Sequence, residues 1–176
     1  PRSTLFPYTT LFRSDYGMGN LRSVGKALEH VGATATITHD PAEVRAADGL
    51  ILPGVGAFPR AMERIHQRGL DELIGERREA GVPILGICLG LQLLFDSTTE
   101  LGGAAGLGLF EGEVAELDAG GLKIPHIGWS PLRWERESRL AEGIPTETPF
   151  YFVHSFAPRP GPGELAAICP PWASTK

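Results

Sequence analysis

Residues 82–95 contain the pattern of residue types that most clearly indicates chemistry. The segment reads VPILGICLGLQLLF, so that an apolar run leads into Cys88 with Gly86 and Gly90 on either side. A Gly-x-Cys-x-Gly pattern between a strand and a helix is typical of a nucleophile elbow, whose sharp turn exposes the reactive atom. The helix start also offers unpaired N–H groups to an oxyanion, and Leu89 would supply one. We therefore interpret Cys88 as a nucleophile rather than as a small buried hydrophobic residue.

A second glycine-containing turn follows another apolar segment. Residues 51–58 read ILPGVGAF, and Gly54 and Gly56 would allow the backbone to approach a ligand closely. Taken alone, the pattern fits an ordinary strand-to-helix turn. Together with the predicted elbow, it makes the backbone at Val55 a candidate for a second oxyanion donor.

The elements that must position these residues alternate between helices and strands. Their order predicts an α/β protein with a mostly parallel sheet flanked by helices, and antiparallel strands added by the second half. In such sheets the active site lies at the carboxyl ends of the strands. Hydrophobic periodicity and capping signals predict helices over 20–31, from 41, and over 58–67, 70–80 and 89–95, with strands over 34–38, 49–52, 82–87, 113–117 and 150–156.

Composition excludes several classes of protein. The 176 residues carry a net charge of −5, whereas a dedicated nucleic-acid binder is usually basic. No apolar run approaches the length of a membrane span. Cys88 and Cys169 give no disulfide framework, which indicates a reducing compartment, and we expect the cytoplasm. Scattered histidines give no metal constellation, and Arg22 stands where a dinucleotide-binding turn needs its third glycine, so we expect neither a metal nor a cofactor.

Five motifs in a fixed order give the sequence a specific resemblance. They are DYGMGN at 15–20, PGVGAF at 53–58, GICLGLQ at 86–92, PHIGW at 125–129 and YFVHS at 151–155. Together they resemble the glutaminase subunit of imidazole glycerol phosphate synthase, a class I glutamine amidotransferase. The elbow alone indicates only the class I amidotransferases. The motifs at 15–20 and 125–129 narrow the resemblance to this glutaminase subunit. The resemblance covers residues 15–167 and implies the flavodoxin-like fold of that class.

The resemblance also implies an activity and a set of residues. The family hydrolyses glutamine to glutamate and ammonia through a cysteine thioester. The ammonia passes to a (β/α)₈-barrel cyclase, the other subunit of a heterodimer, for histidine biosynthesis. Cys88 would be the nucleophile, and the backbone at Leu89 and Val55 the oxyanion hole. The motifs match glutamine-binding positions at Gly54, Gly56, Gln92, Glu100, His154 and Ser155, and partner-facing positions at Asn20 and Trp129. Gln92 also lies one helical turn past the nucleophile, facing the same pocket.

Both ends of the sequence depart from the family pattern. Residues 1–14 contain Thr-Leu-Phe twice, and we interpret them as a foreign, adapter-derived segment; a short strand is the alternative. Residues 168–176 form a non-family tail. The late His and Glu of the family's catalytic triad are absent, so we expect the last part of the domain to be missing and turnover to be low. His154 is the candidate for a substitute base.

Two other functions stay open from the sequence. The chain could be the glutaminase of another class I amidotransferase, such as one serving nucleotide or cofactor synthesis. It could instead be a non-catalytic module that keeps only a partner-docking face.

Overall fold

The computed structural model describes residues 11–13, 21–118, 120–161 and 167–169. Asn20, the motif at 15–20, and most of the segments 1–14 and 168–176 lie outside these residues. The described helices are α1 (Leu21–His30), α2 (Pro41–Ala46), α3 (Phe58–Gln67), α4 (Leu70–Glu79) and α5 (Leu89–Gln92). The described strands are β1 (Leu11–Arg13), β2 (Gly49–Gly54), β3 (Ile84–Cys88), β4 (Phe95–Thr98), β5 (Ala104–Ala105), β6 (Phe110–Glu116), β7 (His126–Pro131), β8 (Arg133–Trp134), β9 (Pro149–His154), β10 (Phe156–Pro160) and β11 (Ala167–Ile168).

A parallel sheet of order β1-β2-β3 carries the two glycine-containing turns. Its middle strand, β2, is buried along its whole length. A strand covered on both faces is expected to read as a continuous apolar run, as residues 49–54 do. The predicted parallel sheet is therefore confirmed.

The second half of the chain adds mainly antiparallel strands, as the sequence predicts. A four-stranded sheet has the order β10-β6-β4-β5, in which β4 and β6 are parallel and the other neighbours antiparallel. Two further antiparallel pairs are β7 with β9 and β8 with β11. The β7–β9 pair, His126–Pro131 with Pro149–His154, is called the hairpin sheet below.

One apolar core joins β2 to helices α2 to α5 and to the second sheet. Its largest fully buried side chains include Phe58 and Ile65 of α3 and Leu70 and Ile74 of α4. Helix α2 begins as its sequence indicates, because Asp40 Oδ1 accepts a hydrogen bond from the N–H of Ala42, with Pro41 in the first turn.

The structure corrects three predicted elements. Residues 34–38 are β-branched, but they form no strand, since no strand among the described residues pairs with them. The helix predicted over 89–95 ends at Gln92, and Phe95 begins β4. Leu93, Leu94 and Phe95 at this boundary are all buried, so an apolar run alone could not separate the helix from the strand. The strand predicted over 150–156 is interrupted at Ser155, after which β10 pairs with β6.

The segment interpreted as foreign contains a strand. Leu11–Arg13 pairs in parallel with Gly49–Ile51, in agreement with the alternative interpretation of this stretch. The origin of residues 1–14 is untested and stays a prediction. No described helix is long and apolar enough to cross a membrane.

Candidate active site

Cys88 lies at the turn between β3 and α5 in a conformation unusual for its residue type. Its φ is 56° and its ψ is −122°, and the side chain is exposed. A non-glycine residue at positive φ typically costs about 1–3 kcal/mol and is often held at a functional site by the surrounding fold. Leu89, the first residue of α5, contributes an N–H that the helix cannot satisfy internally. The thiol and a free backbone donor therefore lie side by side.

The glycines on either side of Cys88 are required by close packing. A Cβ on Gly86 would lie 2.4 Å from the Cα of Leu91, and one on Gly90 would lie 1.6 Å from the carbonyl oxygen of Leu52. Gly86 thus lets α5 fold back onto β3, and Gly90 lets α5 lie directly on β2. The elbow is fixed by contacts between backbones.

The second turn lies beside Cys88. Gly54, the last residue of β2, is in register with Cys88, the last residue of β3. Val55 follows with an exposed side chain, and Gly56 has a φ of 92°. Sheet pairing therefore brings together the predicted nucleophile and the predicted second oxyanion donor.

Glu100 reaches the same turn from the other side. Its Oε2 accepts a hydrogen bond from the N–H of Phe58, at 2.8 Å, where α3 begins. Thr98 anchors Glu100: Thr98 Oγ1 accepts a hydrogen bond from the N–H of Glu100 and donates to the carbonyl oxygen of Val114. A carboxylate is favourable at a helix N-terminus. This capping contact was not predicted from the sequence.

Gln92 and His154 meet at a single carbonyl group. Gln92 Nε2 donates to the carbonyl oxygen of Phe156 at 2.9 Å, and His154 Nδ1 lies 3.0 Å from the same oxygen. Ser155 lies between β9 and β10, directly before Phe156. Residues 64 positions apart in sequence are thus joined beside the elbow helix.

Trp129 lies apart from these residues, on the outer face of the hairpin sheet. That face carries four apolar side chains between 56% and 71% exposed. The rings of Trp129 and Tyr151 meet edge to face at 5.5 Å. Strand register sets Ile127 beside Val153 and Trp129 beside Tyr151. We call Ile127, Trp129, Tyr151 and Val153 the apolar stripe.

Comparison with known proteins agrees with this geometry. The family model described as "Glutamine amidotransferase class-I" matches residues 13–169. This chain belongs to the class I glutamine amidotransferases. Its sequence is 56% identical over 142 residues to imidazole glycerol phosphate synthase subunit HisH of Moorella thermoacetica, covering 81% of this chain and 67% of that protein. The HisH subunit of Corynebacterium diphtheriae is 47% identical over 146 residues, covering 82% and 69%.

Solved structures support the amidotransferase fold. A crystal structure of a glutamine amidotransferase superposes with a TM-score of 0.71 at 20% identity, covering 90% of this chain and 79% of that one. A glutamine amidotransferase from Thermotoga maritima gives a TM-score of 0.55 at 14% identity, covering 84% and 61%. At these identities the likeness concerns the fold.

One residue of this amidotransferase site was missed by sequence reasoning. His126 is buried in β7, and its ring stacks on Phe152 with centroids 4.9 Å apart. Its Nδ1 lies 3.3 Å from His154 Nε2, and its Nε2 lies 2.9 Å from Ser130 Oγ. Burial, and then the neighbouring His154, lower the pKa of His126. The alternation of His126, Ile127, Gly128 and Trp129 is a period-two signal that could have indicated the strand.

The described residues place no histidine on Cys88, the predicted nucleophile. The structure records no hydrogen bond between Cys88 and an imidazole among them, and both ring nitrogens of His154 face other partners. The geometry therefore gives no support to His154 as a substitute base. The same residues contain no group of three or more His, Cys, Asp or Glu side chains that could hold a metal ion.

Proposed function

We propose that this chain is a glutaminase that releases ammonia for imidazole glycerol phosphate synthesis, with Cys88 as its nucleophile. The supporting observation is the register of Gly54 with Cys88, which sets two turns with backbone donors on either side of an exposed thiol. The strained conformation of Cys88 adds to it, since such strain is often held where chemistry occurs.

The reaction follows from this arrangement. The Cys88 thiolate attacks the side-chain amide carbon of glutamine, and the carbonyl oxygen becomes an oxyanion beside the N–H groups of Leu89 and the turn at Val55. Collapse of this intermediate breaks the carbon–nitrogen bond, and the nitrogen takes up a proton and leaves as ammonia. Water then attacks the thioester, which releases glutamate and restores the thiol.

A base must take the thiol proton and return it to the leaving ammonia. In the family that the sequence resembles, the base is a histidine near the end of the domain, and a glutamate orients it. Residues 1–176 contain no such motif. Cysteine is more tolerant of a missing base than serine is, because a few per cent of an ordinary thiol is ionised near neutral pH. We therefore propose that a polypeptide limited to these residues turns over slowly.

Glutamine recognition is assigned to the residues around the two turns. The Glu100 carboxylate can pair with the α-ammonium group of glutamine, because within the described part of the chain its side chain accepts a hydrogen bond only at Oε2, from the N–H of Phe58. Gln92 uses Nε2 to bond Phe156, which leaves the acceptor Oε1 for the ligand. Gly54, Gly56, His154 and Ser155 complete the proposed pocket.

The partner is assigned to the apolar stripe. The relatives are named as synthase subunits, which implies a second subunit, and we propose the barrel cyclase. An exposed cluster of aromatic and branched side chains is typical of a protein–protein contact, in which Trp and Tyr contribute most of the binding energy. Asn20 is the second proposed interface residue and lies outside the described residues. We place the complex in the cytoplasm, since Cys88 and Cys169 are free thiols.

The decisive experiment measures ammonia release from glutamine in the presence of the cyclase subunit and its nucleotide ligand. We expect slow turnover by the chain and a rise when a complete family C-terminus is appended. In the extended chain, Cys88→Ala should lower turnover by about 10⁴-fold or more, whereas Cys169→Ala should not.

Two results would contradict the proposal. An extended, folded chain that releases no ammonia would favour a docking module. Tight binding to a different synthase, with none to the cyclase, would favour the glutaminase of another class I amidotransferase.

A further inference from the structure

The carbonyl oxygen of Phe156 accepts two hydrogen bonds from side chains that come from opposite directions. Gln92 reaches it from the elbow helix, at 2.9 Å, and His154 from the hairpin sheet, at 3.0 Å. Behind His154 lies His126, and behind His126 lies Ser130. These contacts form a continuous chain from the buried side of the hairpin sheet to the helix that begins at the nucleophile.

The chemistry of the last acceptor fixes the direction of every bond in this chain. A carbonyl oxygen cannot donate, so His154 must carry its proton on Nδ1. When this ring is neutral, its Nε2 can only accept, so His126 must then donate from Nδ1. That leaves Nε2 of His126 as an acceptor, and it accepts a hydrogen bond from the Ser130 hydroxyl. One carbonyl thus selects a single tautomer for both rings.

The surroundings of His126 favour its neutral form, which this direction requires. The ring is 4% exposed and stacked on Phe152. His154 is a titratable group in contact with it, and Ser130 also forms a hydrogen bond with Cys169. A proton added to His154 would turn Nε2 into a donor facing the Nδ1–H of His126, so the chain would have to reverse.

We propose that His126 is a positioning residue that sets the glutamine subsite. By donating from Nδ1 to Nε2 of His154, it holds that ring against the Phe156 carbonyl, and so keeps the carbonyl in the place that orients the amide of Gln92, with Oε1 toward the substrate. This inference rests on the proposed glutaminase function, since it concerns the pocket of that reaction. His126 itself does not touch the substrate.

The test uses a matched pair of substitutions in the full chain. His126→Phe keeps the ring volume and the stacking on Phe152 but removes both hydrogen bonds. His126→Asn keeps an N–H near the position of Nδ1, so it should still donate to His154 and weaken binding of the glutamine analogue less than His126→Phe does. His66→Asn, on an exposed histidine that pairs with Asp71, is the control. Thermal unfolding of each variant identifies any that fails to fold.

Two readouts separate positioning from a merely structural role. The first is the rate at which the diazoketone analogue of glutamine labels Cys88, compared with labelling by iodoacetamide, which needs no pocket. His126→Phe should raise the half-saturating concentration of the analogue about tenfold and leave iodoacetamide labelling unchanged. The second is the nitrogen NMR signature of His154, in which the Nε2 resonance should lose the shift caused by the hydrogen bond from His126 while Nδ1 stays protonated.

The outcomes distinguish this inference from the proposed function. Saturable labelling of the unmodified chain that His126→Phe leaves unchanged would overturn the inference alone. An equal loss of Cys88 labelling rate with both reagents would also overturn the inference, because that result would indicate a general disturbance of the elbow. If the analogue fails to saturate the unmodified chain, the proposed function is overturned together with the inference, whatever tautomer His154 adopts.

Discussion

The elbow at Cys88 and the hairpin sheet differ in how closely their residues are packed. At the elbow, backbone lies directly on backbone, and the glycines at 86 and 90 leave no room for a Cβ. On the hairpin sheet, four large apolar side chains are exposed to solvent, and a series of hydrogen bonds between polar side chains lies on the opposite face. A site that aligns atoms for a reaction is held by internal contacts, whereas a site that binds a partner keeps its apolar contacts unsatisfied until the partner arrives. This difference predicts which substitutions damage the fold and which damage only association.

The largest effect is expected from Gly90→Ala. The added methyl group would overlap the carbonyl oxygen of Leu52, a backbone atom that cannot move without displacing β2. We expect the free energy of unfolding to fall by about 3 kcal/mol or more, measured by chemical denaturation. Gly75→Ala is the matched control, since Gly75 lies within α4 with open space around it; it should stabilise the protein by up to about 1 kcal/mol. Equal stability of the two variants would refute a backbone-locked elbow.

The next effect concerns the apolar stripe. Replacing both Trp129 and Tyr151 by Ala should weaken binding of the cyclase subunit by about 2–4 kcal/mol, measured by titration calorimetry, because buried aromatic residues dominate such contacts. The free energy of unfolding of the isolated chain should change little, since both side chains are exposed. Val31→Ala, at an equally exposed residue beyond α1, is the control. Loss of stability without loss of affinity would assign these rings to the fold instead.

Glu100 allows two contributions to be separated at the second turn, where α3 begins. Glu100→Gln keeps an oxygen that can accept the hydrogen bond from the N–H of Phe58, but it removes the charge proposed to meet the substrate ammonium group. We expect weaker glutamine binding with nearly unchanged stability. Glu100→Ala should lose the helix cap as well and cost about 1 kcal/mol in unfolding free energy. If both variants bind glutamine normally, Glu100 serves the fold alone.

The smallest effect is a pH dependence of stability on the hairpin side. Burial and His154 hold the pKa of folded His126 below its ordinary value of 6.5. The unfolded chain therefore binds the proton more readily than the folded chain does, and the contribution of His126 to stability is complete above pH 6.5 and declines as the pH falls through that value. His126→Phe should remove this component of the slope, measured by denaturation at several pH values, while His66→Asn should retain it. An unchanged slope in His126→Phe would contradict a protected neutral ring.

Much of the parallel sheet and its helices could be predicted from local sequence. The continuous apolar run of β2 and the Asp-Pro cap of α2 are local signals, and the structure confirms both. The failures occurred where a segment depends on its partner. Residues 34–38 have strand-forming side chains but no partner strand among the described residues, and the segment 150–156 breaks at Ser155 because the chain moves to a different sheet.

The sequence by itself determined the chemistry. Cysteine between two glycines, after an apolar strand, specifies an exposed thiol at a sharp turn, since each requirement is local. Only the tertiary structure decided which distant groups surround that turn. The register of Gly54 with Cys88, the capping of α3 by Glu100, and the joining of Gln92 to His154 through Phe156 all depend on the pairing of strands far apart in sequence. The direction of the hydrogen bonds through His126 likewise follows from contacts that no local pattern encodes.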